Sequence, residues 1–281
     1  MNFTRRWIMN PEKIAELKEK ARTVRLGILD ALGIDKRGHL GGSMSCADIV
    51  AALYFYKMRH DPKDRFMKDR DRFIMSKGHS VLAQYAALAE LGYFPKETLL
   101  KTKTLGCFLQ GHPERETPGV EANTGSLGQG LSIGVGIALG GRLDGLDYHT
   151  WVILGDGELG EGQIWEAVTA AAAYKLDTLT AIVDMNGIQA VGKTCDRYDL
   201  GDIRGKFNAF GWKTFEIDGH DMGQIVKALD EASGVRGVPS AIIARTVKGK
   251  GVSFAENVAA YHNNLLTKEL QEQARQEILA M

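Results

Sequence analysis

Trp151-Val-Ile-Leu154 runs without a polar break into Gly155-Asp156-Gly157-Glu158-Leu159-Gly160-Glu161-Gly162, and a second apolar run, Leu179 to Val183, ends in Asp184-Met185-Asn186-Gly187-Ile188. Each run is too short for a helix and stops at a turn-forming cluster, so each reads as a buried strand entering a loop. Between them Gln163 to Tyr174 reads as a helix. Strand, helix, strand with continuous apolar runs indicates parallel strands covered on both faces. The same pattern continues outward. Lys213 to Ile217 and Ser240 to Thr246 are further strands, separated by a helix over Asp221 to Ala232 and followed by one over Thr267 to Leu279. Upstream, Asn10-Pro11 is a cap with proline at the first helical position, opening a helix to Leu32. Ser45-Cys46-Ala47-Asp48 has the spacing of a capping box and predicts a helix to about Met58. Ser80 to Leu91 reads as a helix ending at Gly92. Gly125 to Gly141, apolar and punctuated by glycine, reads as a buried helix packed closely on its neighbours. The expectation is one domain over residues 1–281: an α/β, doubly wound, mainly parallel sheet with helices on both faces.

Composition narrows the function classes. The 281 residues are 44% hydrophobic and 25% charged, with 35 basic and 35 acidic side chains. That balance argues against a nucleic-acid or membrane-surface protein, which would carry a basic face. No apolar run approaches the roughly 18 residues that span a bilayer. The opening Met-Asn-Phe-Thr-Arg-Arg-Trp lacks an apolar core and a cleavage site, so no secretory signal is expected. Three cysteines, Cys46, Cys107 and Cys195, include no CxxC pair; this favours a cytoplasmic setting over a disulfide scaffold or a cysteine zinc site. The chain has 33 glycines against 6 prolines, which suits a compact fold with tight turns and close backbone approach to a ligand.

In parallel sheets, ligands bind beyond the carboxyl ends of the strands. Asp156 and Asn186 follow two such ends and lie 30 positions apart, the length of one βαβ unit. A carboxylate and an amide oxygen are hard ligands suited to Mg²⁺ or Ca²⁺, and Mg²⁺ held by so few protein groups also takes diphosphate oxygens and water. Gly155 and Gly157 would let the backbone approach phosphates, and the next helix would offer its N-terminus. Taken singly, Gly-Asp-Gly and Asn-Gly are also ordinary turns. Asp156 is expected to be an exposed loop carboxylate contributing little to the core.

This spacing resembles the thiamine diphosphate motif. With Arg37-Gly-His-Leu-Gly-Gly42, Ser76-Lys-Gly-His79, Gly111-His-Pro-Glu114 and Asn123-Thr-Gly-Ser-Leu-Gly-Gln-Gly130 in order upstream, the chain is similar to the N-terminal, diphosphate-binding part of transketolases. The resemblance implies thiamine diphosphate and Mg²⁺ as cofactors, with Ca²⁺ or Mn²⁺ as possible substitutes. It implies metal ligation by Asp156, Asn186 and the carbonyl of Ile188. Cofactor contacts are implied for His79, Gly125, Ser126, Leu127, Gly155, Gly157 and Glu158. Many transketolases have proline where this chain has Ser126. His39, His79 and His112 are implied at the reacting carbon, binding sugar hydroxyls and moving protons, a role that suits imidazole. His262 sits in a shortened loop where Asn263 replaces the family glycine, and the sequence leaves open whether it reaches the site. Glu161 is implied at a subunit interface with a catalytic part, in a proton network that links the two active sites, although favourable placement at a helix N-terminus explains it too. His60, His149 and His220 read as structural.

The resemblance leaves no room for the pyrimidine-binding and C-terminal domains. The family glutamate that activates the cofactor belongs to the former. The expected protein is therefore one subunit of a split transketolase, inactive without a partner chain, with two copies of each chain, acting on sugar phosphates and binding neither nucleic acid nor membrane. Two alternatives share the motifs: a fragment of an enzyme like 1-deoxyxylulose 5-phosphate synthase, and a non-catalytic regulatory subunit of the same fold.

Overall fold

The computed structural model describes residues 10–281; the opening residues read above for a secretory signal lie outside them. In chain order the helices are α1 (Pro11–Leu32), α2 (Leu40–Ser45), α3 (Ala47–Ala52), α4 (Val81–Leu91), α5 (Gln129–Leu143), α6 (Gly162–Ala173), α7 (Thr194–Tyr198), α8 (Ile203–Ala209), α9 (Met222–Gly234) and α10 (Lys268–Leu279). The strands are β1 (Arg72–Met75), β2 (Thr150–Gly155), β3 (Leu179–Met185), β4 (Ile188–Gln189), β5 (Gly192–Lys193), β6 (Lys213–Asp218) and β7 (Ser240–Arg245). Five strands form one sheet in the order β1-β2-β3-β7-β6, and every pairing in it is parallel. β4 and β5 make a small antiparallel hairpin beside it.

Side chains alternate between two apolar layers, as the period of two requires. Phe73, Met75, Trp151, Ile153, Ile182 and Ile242 face a core built with α1, α3, α4, α9 and α10. Ile74, Val152, Leu154, Ala181, Val183 and Ile243 face a second core with α5, α6 and α8. Both faces being buried explains why the central strands β2, β3 and β7 are almost continuously apolar. The register sets Gly155 opposite Asp184, and Met185 opposite Arg245. Asp156 and Asn186 therefore emerge at the same carboxyl edge.

α1 begins as expected, with Asn10 Oδ1 accepting from Glu12 N at 2.9 Å. The capping box does not form. Cys46 precedes α3, and no side chain caps it. The Ser45 hydroxyl donates to Gly42 O and Asp184 instead, and Asp48 binds Arg25. The helix expected to reach Met58 ends at Ala52 and continues as a π turn over Leu53–Lys57. The glycine-rich helix starts at Gln129 rather than Gly125, and only one of its faces is buried. A Cβ at Gly134 would lie 2.7 Å from Val152 Cγ2, so glycine lets α5 seat directly on the sheet. At Gly136 and Gly140 nothing lies within 4 Å. No described helix is long and apolar enough to cross a membrane.

Candidate functional site

A cleft of about 320 Å³ opens at the carboxyl edge of the sheet. Its walls include His39, His79, His112, Gly125, Leu127, Gly155, Asp156, Gly157, Glu158, Asn186, Ile188 and His262. His262, left open by the sequence, thus lines the cleft. Ser126 and Glu161 do not: both are exposed, and Glu161 makes no side-chain bond at the N-cap of α6.

The four histidines come from four separate segments and form one cluster. Ring centroids lie 5.0 Å apart for His39–His79, 4.8 Å for His79–His262, 5.3 Å for His39–His262 and 6.0 Å for His39–His112. Burial first, then neighbouring cations and imidazoles, pushes His39 down to about 4, His79 to about 2 and His262 to about 4; burial lowers His112 as well. All four are therefore neutral near pH 7, and each ring can accept one hydrogen bond and donate another. His262 Nδ1 accepts from Lys248 Nζ at 3.0 Å, which leaves its proton on Nε2. Gly125 adopts φ 144°, and a Cβ there would stand 2.7 Å from His112 Cδ2, so glycine leaves that ring its place.

Asp156 is buried, 4% exposed, rather than the exposed loop carboxylate expected from sequence. The reason is that the β4–β5 hairpin folds back over it. Oδ1 accepts from Gly157 N at 2.8 Å, and Oδ2 accepts from Gly187 N at 2.6 Å and Thr194 Oγ1 at 3.3 Å. Burial, then the nearby Asp184 charge, pushes its carboxyl above the ordinary range. Asn186 Oδ1 accepts from Ile188 N at 3.1 Å while its Nδ2 donates to Asp184 Oδ2 at 3.3 Å. Glu158 lines the cleft, but its carboxylate accepts from Gly128 N at 2.9 Å, Gly155 N at 3.0 Å and Ser76 Oγ, so it braces the loops.

Three charged groups escaped the sequence reading. Asp184, fully buried, accepts from Ser45, Lys77, Asn186 and Thr246. Although burial opposes its ionisation, Lys77 beside it holds Asp184 below the usual carboxylate range. Burial opposes the charge of Lys77, but Asp184 and Cys46 beside it together raise it in turn, and it also donates to Gly42 O at 2.8 Å. Lys248 has no carboxylate partner among the described residues and donates to Ile188 O at 2.7 Å. Burial, then Lys77, lowers it to about 8. The available signal was position: Lys77 sits inside Ser76-Lys-Gly-His79, and Lys248 follows the last strand in a glycine-rich turn.

The described residues contain no group of three His, Cys, Asp or Glu side chains placed to hold a metal ion. What they offer is one carboxylate, one amide oxygen and one main-chain carbonyl beside two lysines. Such a set suits a divalent ion that shares a diphosphate, and the lysines suit the diphosphate itself.

Residues 17–279 match the thiamine diphosphate binding domain of transketolase. The chain is 43% identical over 243 residues to an apulose-4-phosphate transketolase subunit of Phocaeicola vulgatus, covering 86% of each. It is 43% identical over 268 residues to a 6-deoxy-6-sulfo-D-fructose transketolase subunit of a Clostridium strain, covering 95% of this chain and 98% of that one. A crystal structure of transketolase from Pichia stipitis superposes with a TM-score of 0.87 at 34% identity, over 93% of this chain and 40% of that one. The chain thus spans two-fifths of that transketolase and nearly all of the Clostridium subunit. On these matches and the cleft just described, the chain belongs to the transketolase family, as its thiamine diphosphate-binding domain of the kind that forms a separate polypeptide in split transketolases.

Proposed function

We propose that this chain is the cofactor-binding subunit of a heteromeric transketolase that moves a two-carbon ketol unit from a ketose phosphate to an aldose or aldose phosphate. The observation that carries the reading is the convergence of Asp156, Asn186, Lys77, Lys248 and four neutral histidines on one cleft. Two relatives are named for ketoses with an anionic group, apulose 4-phosphate and 6-deoxy-6-sulfo-D-fructose. A donor of that class is expected here.

Mg²⁺, or Ca²⁺ or Mn²⁺ in its place, would take Asp156, Asn186 and the carbonyl of Ile188. That carbonyl already accepts from the Lys248 ammonium, so a cation suits its position. A metal ion there would release Lys248 to meet the diphosphate. Gly155 leaves room for the ligand, since the atoms nearest an added Cβ, of Lys77 and Glu158, stand 3.7–3.8 Å away. When bound, thiamine diphosphate supplies the electron sink that lets a carbon–carbon bond beside a carbonyl break and re-form. The chain's own part is to hold the sugar. Neutral His39, His79, His112 and His262 donate to and accept from hydroxyl and carbonyl oxygens and exchange protons with them.

That relatives covered over most of their length are named as transketolase subunits supports a partner chain that brings the pyrimidine-binding and C-terminal domains, two copies of each chain making the enzyme in the cytoplasm. The open face of α5 at Gly136 and Gly140, with Glu161 and the outer side of α6, suits contact within that assembly. The test is to measure mass in solution and ketol transfer for this chain, the partner and their mixture. Transfer by the mixture alone is the expected result. Transfer by this chain alone, or failure to associate, overturns the split-enzyme reading, and unchanged cofactor affinity in Asp156→Ala overturns the metal assignment.

A further inference from the structure

His220 read as structural in the sequence and lies outside the cleft, yet its bonds lead back to it. His220 Nε2 accepts from Val247 N at 2.8 Å, so the ring carries its proton on Nδ1 and donates it to Asp48 Oδ2 at 2.8 Å. Asp48 in turn accepts a two-point bond from Arg25, with Nη1 at 3.0 Å and Nη2 at 2.6 Å. Arg25 Nε closes the circuit by donating to Lys250 O at 3.2 Å. Arg25 and Asp48 are both buried, and although burial opposes ionisation, Arg25 and then His220 hold the Asp48 carboxyl down at about 2. The three side chains come from α1, α3 and the turn after β6. They grip the main chain on both sides of Lys248: at Val247 before it and at Lys250 after it.

We propose that His220, Asp48 and Arg25 form a clamp whose task is to set the turn that presents Lys248 to the diphosphate; His220 is a positioning residue of the cofactor site. This inference rests on the cofactor reading above. A histidine fits the task because it is the one ring that can accept from a backbone N–H on one side while donating to a carboxylate on the other. Bonds from Lys250 N to Val247 O, Asn257 N to Lys248 O and Gly251 N to Glu256 Oε1 fix the shape of the turn, and Gly249 N ties it to Gly41 O in α2; the seat against α1 and α3 is left to the clamp. Asp184 holds the other flank through Thr246 Oγ1.

The test is a double-mutant cycle on the assembled enzyme, reading magnesium-dependent thiamine diphosphate affinity by calorimetry alongside the melting temperature. His220→Ala is expected to weaken binding on the order of 10-fold, the loss typical of removing a group that orients a ligand-binding one. Lys248→Met is expected to weaken it at least as much. The double variant should bind no more weakly than Lys248→Met, because the clamp acts through that lysine. A purely structural histidine would lower the melting temperature and leave the two losses additive, which overturns the proposal, as does wild-type affinity in His220→Ala. Should His220→Ala not fold, His220→Asn keeps a partner for Asp48 without reaching Val247, and the same cycle applies. No binding by the wild-type assembly would overturn the cofactor reading itself, and this inference with it.

Discussion

Replacing Asp184 with asparagine changes a charge and almost no volume. Asp184 is fully buried and accepts from four donors: Ser45 Oγ at 2.5 Å, Asn186 Nδ2 at 3.3 Å, Lys77 Nζ and Thr246 Oγ1. The Thr246 hydroxyl can turn to accept from the new amide, so the number of hydrogen bonds survives. What disappears is the counter-charge of Lys77, a side chain 2% exposed. Its other partner, the carbonyl of Gly42, is neutral and offsets little. Leaving a buried charge without its partner costs about 3–5 kcal/mol. At roughly 2–4 °C per kcal/mol for a chain of this size, the melting temperature should fall by roughly 10 °C. Urea unfolding followed by tryptophan fluorescence measures the loss, with the transition slope checking that compactness is unchanged. Adding Lys77→Met removes the stranded ammonium, and the double variant should regain much of the lost stability. A loss below about 1 kcal/mol, the range of exposed pairs, would refute the reasoning. So would a double variant no more stable than Asp184→Asn.

His79→Ala is expected to lower ketol-transfer turnover about 100-fold or more and to reduce cofactor affinity much less, since its neutral imidazole is expected to meet the sugar as well as the cofactor; a variant that merely fails to fold would assign His79 a structural role. Gly125→Ala puts a Cβ 2.7 Å from His112 Cδ2 on a backbone at φ 144°, so it should cost about 1–3 kcal/mol of stability and lower turnover together; wild-type kinetics would show that His112 does not need its present seat. Acid should weaken the fold. Burial holds His149 down to about 3 and His39 and His262 to about 4. The unfolded chain binds protons at about pH 6.5 while the folded one does not. The contribution of these histidines is thus constant above that value, and stability declines as pH falls from about 6.5 toward 4; a melting temperature flat over that window would contradict it. Asp156→Ala should abolish magnesium-dependent cofactor binding and also loosen the hairpin at Gly187–Thr194, read as faster hydrogen exchange there; unchanged exchange would mean that the carboxylate does not hold the hairpin.

Strands β2, β3 and β7 were legible because a strand buried on both faces is a continuous apolar run closed by a turn, and the edge strand β6, Lys213-Thr-Phe-Glu-Ile-Asp218, because its polar and apolar residues alternate. β1 was not: Arg72-Phe-Ile-Met75 has only three apolar residues, wedged between charged residues and Ser76. The two-residue strands β4 and β5 carry no periodicity at all. Spacing foretold that Asp156 and Asn186 share an edge, since one βαβ unit fixes that geometry. It could not foretell that a later hairpin covers Asp156. The Ser45 error has the same origin. A hydroxyl well spaced for a cap was claimed by Asp184, a partner far along the chain, and local pattern cannot foresee such competition. Lys77 and Lys248 were missed because lysine is ordinarily a solvated residue, and only tertiary burial turns it into part of a site.

Gly38 and Asn264 each donate to the other's carbonyl at 3.1 Å, fastening the loop of His39 to that of His262. One of these loops leaves the ribosome early and the other long after it. β7 is late as well, yet it is the strand that joins β6 to β3. Until it arrives, β6 has no neighbour and the turn carrying Lys248 has no seat. The cleft is thus built from contacts far apart along the chain, the kind that form slowly. A nascent polypeptide cannot enclose it until residues beyond 264 have emerged. Cofactor capture must then follow folding of the sheet rather than guide it, and a chain stalled before β7 would display the Asp156–Asn186 edge without the ability to retain a diphosphate.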